Sequence, residues 1–189
     1  MPHGAASLPV KFVNSTQWVP ALAAAVAICA AVSDVKERRI PNLLAYPAMV
    51  GGLLLQGTLY GWRGLLLGAE GGLLFGGVFM LFYLVRAMGA GDVKLAAAIG
   101  SIVGISSSLQ VMFATAFAGG ALAIVFMVLS RRIVETVRNT FWVAGFHALH
   151  GLQAHPIVNL DHPTAVRMPY GLAFAIGTLY WAVCLQLWR

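Results

Sequence analysis

Two aspartates carry the chemistry open to this chain: Asp34 and Asp92 are two of only six acidic residues among 189. Each stands where an apolar run gives way to a short polar turn. The first lies in Ser33-Asp34-Val35-Lys36-Glu37-Arg38-Arg39-Ile40-Pro41-Asn42, the second in Gly89-Ala90-Gly91-Asp92-Val93-Lys94-Leu95. A carboxylate at the edge of a bilayer is costly to keep charged, so its presence asks for a reason. Desolvation and like-charge repulsion would together hold one proton on a close pair. The ionised member can then take a proton from water while the protonated one donates to a peptide carbonyl. That is amide hydrolysis by a carboxyl dyad, which needs no nucleophilic side chain, metal or cofactor.

Each aspartate taken singly has a plainer role. Asp92 follows Gly89 and Gly91, which permit close approach of another chain segment, and it can cap the apolar helix it precedes. Asp34 reads as an exposed member of a mixed-charge turn that Pro41 punctuates. Asp-Val-Lys occurs at both places. Residues two apart on a helix point to nearly opposite sides, so Lys36 and Lys94 need not neutralise their own aspartates. Lys94 is expected at lipid headgroups.

The remaining reactive side chains are less promising. Glu70 projects away from a stripe of Gly64, Gly68, Gly72 and Gly76, and shares a face with Arg63, which suits a snorkelling or locally paired carboxylate. The stripe itself is a small-xxx-small face for close helix packing. His147, His150, His155 and His162, with Asp161 nearby, match no compact ligand pattern, so loop histidines are expected and no metal site. Cys29 and Cys184 lie in apolar runs without CxxC spacing, as packing residues do.

The elements that must position the aspartates are apolar helices. The chain is 60% hydrophobic and 10% charged, against roughly 25% charged in soluble domains, and its mean hydropathy is +0.83. The runs 18–32, 43–60, 64–85, 93–105, 109–129 and 170–188 predict about six membrane spans, the fourth short and extendable into Ser106, Ser107 and Ser108. No cleavable signal peptide is expected, because residues 1–17 lack a basic n-region. The expected fold is all-α and polytopic, one membrane-embedded domain over 1–189, with a cytoplasmic loop over 130–168 that includes an interfacial helix. With residue 1 outside the cytoplasm, nine of the twelve basic residues fall on the cytoplasmic side; Lys11, Arg63 and Arg189 do not. The positive-inside rule therefore predicts both termini outside and both aspartates at the cytoplasmic boundary. The net charge of +6 then serves orientation, and nucleic acid is excluded as a partner.

At these residues the chain resembles the type IV prepilin peptidases, membrane aspartyl proteases of the GxGD type. Gly89, Gly91, Asp92 and Lys94 match the second catalytic motif, and Asp34 with Ile40, Pro41 and Asn42 the first. Pro169-Tyr170-Gly171 is similar to the opening of the final span. The resemblance implies cleavage of prepilin or prepilin-like leader peptides at the cytoplasmic face of the bacterial inner membrane, with Asp34 and Asp92 as the catalytic pair. It implies no N-methyltransferase activity, since the added segment with paired CxxC motifs is missing, and it points to the short members associated with tight-adherence pili. Ser33 before Asp34 departs from the Tyr-Asp of the presenilin-like branch. The expected partners are the substrate and the lipid bilayer, with homo-oligomerisation left open. Two rival readings stand beside this one: a small transporter or channel using the acids as a relay, and a non-catalytic subunit of a pilus or secretion assembly.

Overall fold

A computed structural model describes residues 18–130, 133–151 and 168–187, and every regular element among them is an α-helix. Helix α1 (Trp18–Glu37) is rich in alanine, the best helix former, and its 20 residues rise about 30 Å, one hydrocarbon thickness. Helix α2 (Asn42–Leu84) has 43 residues, which if straight would measure about 65 Å. It is not straight. At Gly61 the backbone takes φ 64°, ψ −148°, and beyond it Gly68 lies against Leu53 and Gln56, so the two arms run antiparallel. The expected spans 43–60 and 64–85 are these two arms.

Helix α3 (Ala90–Val103) has 14 residues and α4 (Ile105–Leu129) has 25. Between them Gly104 adopts φ 72° and its carbonyl accepts from the amides of Ser107 and Ser108. The serines therefore start α4 rather than extend the fourth span, because the left-handed glycine ends the previous helix. Helix α5 (Ile133–His150) falls within the long polar connection and exposes Val137, Phe141, Trp142 and Leu149. Helix α6 (Tyr170–Leu187) closes the order. His155, Asp161 and His162 lie outside the described residues.

Helix α3 is the centre of the fold. Leu95, Ala96, Ile99 and Ile102 are fully buried, as in a helix that is apolar all round. The second arm of α2 meets it through glycines: Gly71 and Gly100 touch backbone to backbone, Gly72 faces Ser101, and Gly76 faces Ala97. Helix α1 packs on α6, and α6 meets α4 where Gly177 lies on Thr115. Phe75, Phe79 and Phe174 join α2 to α6, with ring centroids 5.1–5.8 Å apart.

Among the described residues four helices, α1, α2, α4 and α6, are long and apolar enough to cross a bilayer, and α2 has length for two passages. Their outer faces carry Leu73, Phe117 and Leu129, all more than 70% exposed. Contiguous apolar surface on that scale is disfavoured in water and ordinary against lipid tails. The chain is a membrane protein.

Candidate active site

Asp34 sits in the last turn of α1 rather than in the following polar turn, and it is buried, with 8% of its surface exposed. The burial comes from α6. The first turn of that helix carries amides with no intrahelical acceptor, and the Gly171 N–H donates to Asp34 Oδ2 at 2.7 Å. A Cβ on Gly171 would stand 2.9 Å from the Asp34 Cβ, so only glycine allows this approach. The Pro169-Tyr170-Gly171 segment is thereby a clamp on the first aspartate.

Asp92 occupies the first turn of α3, ahead of the apolar run that starts at Val93. Its Oδ2 accepts from the Gly89 N–H at 3.1 Å, and its own amide donates to the Gly89 carbonyl at 3.1 Å. Asp92 thus caps from the third helical position, not from the cap itself. Burial pushes its carboxyl up from 3.8 to about 6; the Gly89 hydrogen bond opposes that shift, and the negative charge of Asp34 adds to it.

The residues around the aspartates tie the two motifs together. A Cβ on Gly91 would meet Ile40 Cβ at 3.2 Å, so the turn after α1 rests on the first turn of α3. Pro41 starts α2, its carbonyl accepting from the amides of Leu44 and Ala45. Lys94 does not extend to headgroups as expected: its Nζ donates to Asn42 Oδ1 at 2.8 Å and lies 5.1 Å from the Tyr46 ring centroid. A hydrogen-bond acceptor and an aromatic face one turn apart on α2 hold it.

Asp34 and Asp92 line one cavity of about 770 Å³, which Tyr170 and Phe126 also border. The structure brings together the residues expected from both motifs. Glu70 is exposed on the outside of α2, away from this cavity. His147 and His150 belong to α5, and among the described residues no cluster of His, Cys, Asp or Glu could hold a metal.

Two cavity residues escape a reading of the sequence. Arg38 (φ 51°) follows α1 and Arg86 (φ 58°) follows α2, both left-handed. The Arg38 amide donates to the Asp34 carbonyl; those of Arg86 and Ala87 donate to Tyr83 and Phe82, the paired bonds of a Schellman turn. Glycine usually fills both positions, and a side chain there costs about 1 kcal/mol. Residue type does not announce such a backbone, so the only signal was a basic residue just past each helix.

The profile of the type IV leader peptidase family matches residues 21–124, which include both aspartates. The prepilin leader peptidase/N-methyltransferase of Burkholderia pseudomallei strain 1026b is 35% identical over 113 residues, covering 54% of this chain and 37% of the relative. The protein of strain K96243 matches to the same extent. The match thus spans little more than a third of these relatives' length. No solved structure matches the chain.

Proposed function

Since the chain belongs to the type IV leader peptidase family, we propose that it is a membrane aspartyl endopeptidase acting on the leader peptides of prepilins or prepilin-like proteins. The observation that carries this reading is the shared cavity: two aspartates from separate helices border one space at a helix end, each anchored by a backbone amide. Asp92, whose carboxyl is raised, holds the proton of the pair and donates it to the scissile carbonyl oxygen. Asp34, fixed by the Gly171 amide, takes a proton from the water that attacks the carbonyl carbon. It returns that proton to the departing amine nitrogen as the C–N bond breaks, and Asp92 recovers its own from the collapsing intermediate. Lys94, Asn42, Pro41, Gly89 and Gly91 position the two motifs and do not touch the reacting atoms.

The placement of positive charge supports a location in the bacterial inner membrane with the site at the cytoplasmic face and both termini outside. Co-expression with candidate prepilins tests the activity. Asp34→Asn and Asp92→Asn should each lower leader removal at least 100-fold, a typical size for loss of an acid or base, while the protein stays inserted. Undiminished processing by either variant overturns the assignment and favours a non-catalytic subunit.

A further inference from the structure

Tyr170 is the first residue of α6 and borders the cavity that holds both aspartates, yet the proton transfers between them leave its hydroxyl unused. Its backbone is fixed by its neighbours. The Gly171 amide donates to Asp34 Oδ2 at 2.7 Å, and the Pro169 carbonyl accepts from the Leu172 amide at 3.2 Å. The ring is half-buried against the apolar core, as suits a side chain with an apolar body and a polar tip. Of the two aspartates it is Asp92 whose charge acts on the hydroxyl, so the tip lies on the Asp92 side of the cavity while the backbone beside it holds Asp34. No hydrogen bond among the described residues engages that hydroxyl.

A carbonyl oxygen under attack can accept two hydrogen bonds, and negative charge gathers on it as water adds. The proton of Asp92 meets one of its lone pairs. The backbone donors nearest the dyad are already engaged: the Gly89 and Gly171 amides hold the carboxyl groups, and the Asp92 amide donates to the Gly89 carbonyl. Tyr83, the other phenol of the lining, is exposed in the last turn of α2. Phenols lose their proton only at about pH 10 in water, so one beside the dyad stays a donor while the carboxyls exchange theirs. We propose that Tyr170 is a third catalytic residue, its hydroxyl donating to the scissile carbonyl oxygen in a hydrogen bond that strengthens as that oxygen gains charge. This rests on the leader-peptidase reading of the site. Tyr170 keeps its proton throughout. Water, peptide and the two aspartates carry every bond that forms or breaks.

The test uses the full-length protein in vesicles, a fluorogenic peptide spanning a prepilin cleavage junction, and an uncleavable analogue with a tetrahedral secondary alcohol at the scissile position. Tyr170→Phe keeps the ring and its packing, so the variant should unfold at an unchanged temperature. It should lower kcat about 100-fold, the size of one lost oxyanion donor, with KM within about twofold. It should also weaken binding of the tetrahedral analogue about 10-fold or more, while affinity for the intact peptide, measured in the Asp34→Asn background, holds. A kcat equal to that of wild type overturns the proposal, as does a loss carried by KM alone. A slower variant that binds the analogue as tightly as wild type also overturns it, whatever its unfolding temperature. So does a variant whose only change is the pH at which kcat/KM falls, because Tyr170 would then act through Asp92. If wild type cleaves no junction peptide, the parent reading falls; if Asp34→Asn abolishes cleavage while Tyr170→Phe matches wild type, only the role of Tyr170 falls.

Discussion

Asp92 keeps its proton to about pH 6 because losing water costs its charged form more than the Gly89 amide returns. Unfolded, the same group titrates at 3.8. Below pH 3.8 the site is neutral in both states, and its preference for the neutral form is fully met. As pH rises through 6 the folded chain must ionise it in a dehydrated place, and that contribution is lost. Asp92→Asn stays neutral throughout. It should match wild type near pH 4 and exceed it by about 2 kcal/mol at pH 8, after allowance for partial solvent contact. Thermal unfolding in detergent at the two pH values measures the difference; a constant gap would contradict a raised carboxyl. The same proton should shape turnover, with kcat/KM of the free enzyme falling above about pH 6. The two aspartates were legible from type and setting. The burial of Asp34 was not, since its sequence neighbours are charged and its cover comes from Gly171 on the last helix.

At the scale of elements, the glycines decide how closely helices approach. The stripe Gly64, Gly68, Gly72 and Gly76 was visible as a repeat, and all four are buried. Gly71 lies outside that repeat, yet it makes the backbone contact with Gly100. A repeat of four passes over it, although Gly71 stands three residues after Gly68 and so shares that helix face. Gly71→Ala should destabilise the protein by about 2 kcal/mol or more, since a Cβ there meets fixed backbone of α3 and of the start of α4. Gly77→Ala is the control: no atom lies within 4 Å of its Cβ, and helix propensity should make it neutral or stabilising by up to about 1 kcal/mol. Thermal unfolding of both variants decides, and equal effects would refute the packing account. Pro41 and the apolar runs marked most helix boundaries. The helix restart at Gly104 was hidden because Ser106, Ser107 and Ser108 suit either neighbour.

For the whole molecule, the charge asymmetry makes a topological prediction. In a Cys29→Ser/Cys184→Ser background, Glu37→Cys should react with a membrane-impermeant maleimide only in inverted vesicles, and Trp62→Cys only in intact cells. The reverse pattern would invert the proposed orientation. Apolar composition made the class of protein plain, but a count of spans blurs at α3, whose 14 residues are mostly buried against other helices. That short helix has a further effect. The cavity with Asp92 opens at its first turn, and a second of about 360 Å³ borders Val103 and Gly104 at its last. The helix between them is about 21 Å long, against roughly 30 Å of hydrocarbon in a bilayer. Around α3 the interior of the protein is therefore shorter than its lipid-facing helices, and the two cavities approach each other more closely than the hydrocarbon of a bilayer is thick.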